Sequence, residues 1–158
     1  MQHKHKLLLT FLFVVCSYSG VFAQGYSHFN WFYGADNNGI RFNKSDTVPV
    51  VITNVAQLGT ASSATATDPF TGDLLFYTDG VRVFNAEHDN MAGGDLLANA
   101  ADANTTLGQT VAICINPRNN DEYYVFTRKN DGTVVYGLID ITGDVPVFLG
   151  SGRGEVIQ

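Results

Sequence analysis

Cysteine, positive charge and long apolar runs are all scarce in this chain, and each shortage removes a class of protein. Only 2 cysteines occur among 158 residues, Cys16 and Cys114. Cys16 falls in an N-terminal segment expected to be removed, so Cys114 stands alone and no internal disulfide can form. Basic side chains number 9 against 15 acidic ones, a formal net charge of −6. That balance gives no electrostatic footprint for a phosphate backbone, so nucleic-acid binding is not expected. The sequence holds no G-x-S-x-G, H-E-x-x-H or P-loop pattern, and no Cys/His pair at zinc spacing. The longest apolar run, Leu7–Val15, is broken by Thr10 and followed by Ser17, Tyr18, Ser19 and Gly20. A membrane span needs about 20 apolar residues, so this run is too short to be an anchor.

What that run does fit is a secretory signal. Lys4 and Lys6 precede it, and Val21-Phe22-Ala23 supplies a cleavage site between Ala23 and Gln24. A lipoprotein signal ending at Cys16 is the rival, but Val15 stands where a small residue is wanted. Residues 1–23 are therefore read as signal peptide and 24–158 as one β-rich domain. Without Lys4 and Lys6 the mature chain carries 7 basic against 15 acidic residues, a formal charge of −8. This suits solubility outside the cell and names no partner.

The organising stretch is Asp73–Asn85. Leu74–Thr78 and Val81–Phe84 are β-prone runs around Asp79-Gly80, a dipeptide that favours a tight hairpin turn. Before it, Asn30–Gly34 and Ile40–Asn43 read as strands around the Asp36–Gly39 turn signal. Val48–Thr53 contains Pro49 and reads as an edge strand or extended connector. The small-residue run Ala61–Asp68 reads as an extended strand suited to a crowded inner position, with Pro69–Gly72 a turn. Ala86–Thr106, rich in Asn, Asp, Gly and Ala, reads as a long surface loop with a short helical turn conceivable over Leu96–Ala103. Gln109–Asn116, Glu122–Arg128 and Thr133–Ile141 are further strands, the last two joined by Asn130-Asp131-Gly132. Pro146 marks an edge-like piece, and Gly150–Gly154 has linker composition.

A weak repeat runs through this order. Thr65–Pro69 and Leu74–Thr78 parallel Cys114–Pro117 and Tyr123–Thr127; Pro69 to Pro117 is 48 residues and Thr78 to Thr127 is 49. A period near 50 with about four short strands per unit points to an all-β, partial β-propeller-like fold of about two to three units. A β-sandwich is the alternative. Such rings need roughly four to eight blades, so the chain reads as the N-terminal part of a longer propeller-like domain.

The ordered set Asn30–Gly34, Gly39–Asn43, Leu74–Gly80, Val83–Asn85, His88, Met91 and Tyr123–Thr127 resembles the N-terminal region of large secreted cell-surface proteins of gliding Bacteroidota. The match covers roughly residues 30–140. The resemblance implies export, surface attachment, and adhesion or scaffolding, with PKD-type modules and a type IX secretion sorting domain elsewhere in such proteins. Two departures stand out: Ala61-Ser62 replaces an acidic-glycine pair, and those later modules are absent from the chain.

Candidate chemistry is thin. Cys114 lies in the apolar run Val111–Ile115 and reads as a buried small hydrophobe. Gly150–Gly154 lacks the helix a nucleotide loop requires. His28 and His88 are the mature histidines, and Glu87-His88-Asp89 reads as a solvated loop because neighbours on an extended segment face opposite ways. Structural calcium is the one respectable ligand, with Asp36, Asn38, Asp89 and Asp95 as candidate oxygen donors. No other cofactor and no catalytic residue is assigned. The expected function is a secreted, non-enzymatic adhesion or scaffolding module contacting glycan or protein at the cell surface through its loops, especially Ala86–Thr106. The alternative is an extracellular propeller-type polysaccharide hydrolase or lyase, whose acids would come from Asp79, Glu87 or Asp89. Amino-terminal sequencing of the secreted product should begin Gln24-Gly25-Tyr26; a chain starting at a lipid-bearing Cys16 would overturn the cleavage reading.

Overall fold

The β-prone runs form eleven strands among the described residues of a computed structural model, which are 29–34, 36–43, 48–59, 62–97, 100–103, 108–142 and 147–151. They make three antiparallel sheets in chain order. The first holds β1 (Asn30–Tyr33), β2 (Asn38–Arg41) and β3 (Val50–Thr53). The second holds β4 (Ala64–Thr67), β5 (Leu74–Thr78), β6 (Arg82–Asn85) and β7 (Asn90–Asp95). The third holds β8 (Val111–Asn116), β9 (Asn119–Arg128), β10 (Val134–Asp140) and β11 (Val147–Ser151). Each sheet is a meander in which every strand pairs with its sequence neighbours. The all-β class is as expected, and the three sheets do not close into a ring among the described residues. The signal segment and His28 lie outside those residues.

The sheets stack face to face, with the second in the middle. Its two faces carry two separate cores. Phe32 from the first sheet, with Val55 and Leu58 from the connection after β3, meets Tyr77 and Phe84 on one side. On the other, Ala66, Phe76, Val83, Met91 and Leu96 meet Val111, Tyr123, Val125 and Ile139 of the third sheet. This explains why Leu74–Thr78 is apolar without alternation: a strand covered on both faces has no solvent side to mark. A bulge sharpens the arrangement. Ala66 pairs with Phe76 and Thr67 with Leu74, leaving Leu75 as the extra residue. Leu75 and Phe76 thereby pack against the same core, while Leu74 and Tyr77 pack against the other.

Stacking has a direction. β1 neighbours β4, β4 neighbours β8, and at the far edge β7 neighbours β11. The leading strands thus stand side by side, and β4, made of Ala and Thr, is the middle one. Small side chains let it fit there, as the sequence suggested. Ser62 Oγ lies 2.8 Å from Thr110 Oγ1, and these residues are 48 positions apart, so equivalent residues of consecutive units touch. Asp68 and Asn116, also one period apart, both cap the turn that follows, accepting from Phe70 and Arg118 backbone N–H groups respectively. The Thr78–Thr127 match does not share that period. Thr78 alternates with Tyr77 and so shares the side of Phe76, towards the third sheet, while Thr127 shares the side of Val125, towards the second. An odd shift exchanges the two faces of a strand.

Local expectations fare unevenly. β3 follows Pro49 and is an edge strand of its sheet. Asn130-Asp131-Gly132 turns β9 into β10, with Gly132 at φ 91°. The Asp79-Gly80 turn is wider than expected. Gly80 alone has positive φ, at 83°, and Thr78 pairs with Val83, so four residues, Asp79 to Arg82, lie between the paired positions. The stretch Ala86–Thr106 is not simply a loop: β7 pairs with β6 inside it, and Ala100–Asp102 is a 3-10 turn. Asn and two glycines hid that strand, whose pairing comes from its partner and not from propensity. Cys114 is exposed rather than buried, because β8 alternates and turns Val111 and Ile113 inward. Gly150 and Ser151 belong to β11 rather than to a linker.

Close packing fixes particular residues. A Cβ on Gly39 would stand 2.5 Å from Phe32 Cδ1 and 2.9 Å from the Trp31 carbonyl oxygen, so only glycine lets β2 cross beneath that ring. Phe76→Ala should lower unfolding free energy by about 3–5 kcal/mol, and Gly39→Ala by about 1–3 kcal/mol through overpacking, both measured by urea denaturation.

Candidate functional site

The polar groups of the first interface are arranged around Tyr77. Its ring stacks between Phe32, with centroids 4.5 Å apart, and Phe84, at 5.2 Å. Burial forces the hydroxyl to find partners. The Ala56 N–H donates to it at 3.0 Å, and His88 Nδ1 lies 3.2 Å away. The hydroxyl can donate to Nδ1 or accept from it, so this bond forms with either neutral tautomer of the ring. His88 itself sits at φ 72° and packs edge-on against both Phe32 and Tyr77 at 5.7 Å. Burial lowers its pKa, although the charges of Glu87 and Asp89 oppose the shift. The same burial raises that of Tyr77. His88 is thus a half-buried packing residue, not part of a solvated loop.

Asp79 is equally committed. Its side chain is 2% exposed and forms an ion pair with Arg82 at 3.1 Å. One carboxylate oxygen accepts from the Val81 and Arg82 backbone N–H groups at 2.9 and 2.7 Å. Arg82 also donates to the Gln57 carbonyl and lies over the Phe84 ring. A buried carboxylate saturated in this way serves the turn. Glu87 and Asp89 are exposed at the β6–β7 turn.

The calcium candidates are dispersed. Asp36 and Asn38 belong to the β1–β2 hairpin of the first sheet. Asp89 and Asp95 flank β7 at opposite ends in the second sheet. No group of three or more His, Cys, Asp or Glu that could hold a metal is present among the described residues.

The surface holds a feature that sequence reading passed over. Phe70 is 85% exposed at the tip of the β4–β5 turn. It is held there: Asp68 Oδ1 accepts from the Phe70 and Thr71 backbone N–H groups at 2.7 and 3.0 Å, and Thr71 Oγ1 accepts from the Asp73 N–H. Beside it a shallow cleft of about 210 Å³ is lined by Phe42, Arg41, Thr71 and Gly72 among others. Arg41 crosses to Asp73 at 3.1 Å, tying the first sheet to this turn. An aromatic on a fixed backbone, a second aromatic and a guanidinium around a cleft are what a partner-binding surface uses as anchors. The signal available in the sequence was a phenylalanine inside Pro69–Gly72, where turn residues are ordinarily small or polar.

Comparisons with models of protein families, with curated protein sequences and with solved structures found no match.

Protonation of His88 should be visible in stability. Its pKa is lowered on folding, so the unfolded imidazole takes up a proton first, and acidification favours unfolding. Stability from this group is full above the ordinary value of 6.5 and is lost as pH falls from there through the folded pKa. Thermal melts across that window should show the loss, and His88→Asn, which tolerates the positive φ, should flatten it.

Proposed function

We propose that this chain is a secreted, non-enzymatic interaction module of propeller-like architecture, acting in adhesion or scaffolding at a cell surface. The observation that carries the reading is Phe70, an aromatic side chain displayed in water by a turn that hydrogen bonds hold rigid. With the backbone already ordered, binding costs only the rotamer freedom of the ring, so it is suited to anchor a protein or glycan partner over the Phe42–Arg41 cleft. Supporting the propeller-like reading are the meandering sheets, the stacking of leading strand on leading strand, and the 48-residue spacing of the touching pair Ser62 and Thr110. The resemblance to secreted surface proteins supplies the cellular address. A polysaccharide hydrolase or lyase would need two carboxylates converging on one bond, whereas Asp79 is saturated by its own turn and Glu87 and Asp89 stand in solvent.

The test uses the secreted chain, fluorescently labelled, on the cells that export it and on glycan arrays. Saturable binding is expected, weakened by about tenfold or more in Phe70→Ser, as for an interface anchor. Because Phe70 is so exposed, that variant should unfold within about 0.5 kcal/mol of the parent. Release of reducing ends from a bound polysaccharide would overturn the non-enzymatic reading.

A further inference from the structure

The cleft beside Phe70 lies at the ends of strands and not on the face of a sheet. Its walls come from Arg41 and Phe42 at the end of β2 and from Phe70, Thr71 and Gly72 of the β4–β5 turn. Further sheets stacked on the first or the third would lie across strand faces and leave this rim open. The volume is about 210 Å³. That is below the roughly 300–1,000 Å³ of a pocket that encloses a drug-sized molecule, so the cleft takes one ring-sized group of a larger partner.

The groups around that volume match one chemistry. Phe70, 85% exposed, offers a flat apolar face. The face of such a ring is electrically negative and attracts the slightly positive C–H bonds of a saturated ring. Arg41 and Asp73 form an exposed ion pair, Nη2 to Oδ1 at 3.1 Å. Among the described residues that is the only hydrogen bond either side chain makes. A guanidinium carries five N–H donors and a carboxylate two acceptor oxygens, so spare donors and Asp73 Oδ2 stand side by side. Two adjacent hydroxyls satisfy such a pair, one accepting from Arg41 and the other donating to Asp73.

Charge narrows the choice. Arg41 is already matched by Asp73, and the chain as a whole carries a formal net charge of −6, so the cleft offers no uncompensated cation to a carboxylate or a sulfate. A protein partner asks for more than is here: interfaces bury about 800 Å² per side around a desolvated centre. The residues beside Phe70 in its turn include Asp68, Thr71 and Asp73, which are polar.

We propose that this cleft is a subsite for one neutral sugar residue of a polysaccharide, its C–H face on Phe70 and two adjacent hydroxyls on Arg41 and Asp73, which rests on the reading of Phe70 as a binding anchor and narrows its partner from protein or glycan to a neutral glycan.

The test uses the secreted chain and the cells that export it. Periodate cleaves the bond between carbons that bear adjacent hydroxyls, and so destroys the feature that Arg41 and Asp73 would read. Mild periodate treatment of the cells, followed by borohydride reduction of the aldehydes formed, should abolish Phe70-dependent binding. In solution the probes are hexasaccharides of glucose, mannose, galactose and xylose, with hexagalacturonate as the charged comparison. At least one neutral probe should bind saturably and perturb the fluorescence of Trp31, the single tryptophan of the chain, which packs edge-on against Phe42 at 5.4 Å. Phe70→Ser should weaken that binding by about tenfold or more. Asp73→Asn removes a charged acceptor and leaves Arg41 unpaired, so neutral binding should fall by about tenfold and hexagalacturonate binding should appear, with circular dichroism unchanged. Phe70-dependent binding that survives periodate marks a protein partner; it overturns the sugar subsite and leaves the proposed function standing. Binding of none of the neutral probes, a parent that prefers hexagalacturonate, or an Asp73→Asn variant with the selectivity of the parent overturns the subsite as well. Absence of any Phe70-dependent binding to the cells would sink the proposed function, and the subsite with it.

Discussion

Two neighbouring side chains, Phe76 and Tyr77, carry the constraint on which the rest of the structure depends. They leave one strand in opposite directions, and both are fully buried. Each therefore requires a sheet on its own side, and the second sheet must be the middle of three. The Leu75 bulge and the alternation of Val83 and Phe84 distribute the remaining apolar side chains between the same two cores. Hydrophobic burial supplies the drive, at roughly 25 cal/mol per Å² of apolar surface removed from water. The Tyr77 hydroxyl adds a condition that burial alone does not impose. It must be paired in the interior, and Ala56 from the connection after β3 and His88 from the β6–β7 turn both come to meet it.

The leading strands set the geometry of the surface. β1 and β4 each pair with a single neighbour in their own sheet, so their free edges lie beside one another across a shallow cleft of about 320 Å³. Unpaired edges invite association with other strands. Here they are tied by side chains instead: Ser63 donates to the Phe32 carbonyl and Asn30 to Thr67 Oγ1 and the Gly72 carbonyl, while Ser62 meets Thr110 at the entry to β8. These polar ties are short-range and directional, which lets small residues on β4 hold register where large ones would not fit.

Turn chemistry divides the acidic residues by task. Asp68, Asp79, Asp131 and Asp140 each accept from backbone N–H groups within the next three residues. A carboxylate so engaged is fixed in place by the turn it closes. What the turns display matters more: by clamping the backbone on both sides of Phe70, Asp68 converts an ordinary loop tip into a fixed aromatic projection.

Strand-forming residues and turn residues determined the all-β class, the central hairpin, most strand positions and the 48-residue period, because those features rest on local propensity and on short-range hydrogen bonding. Tertiary structure decided the rest. β7 exists because β6 offers it an edge, although Gly93 and Gly94 argue locally against a strand. Cys114 is exposed because alternation along β8 is set by which face meets the second sheet, and an apolar run covered on one side cannot announce that choice. His88 was pulled from an apparent loop into an interface by Tyr77, eleven residues earlier in the chain. The same holds for the candidate surface. Phe70 and Phe42 lie on different sheets, and only the stacking of those sheets brings them to one cleft.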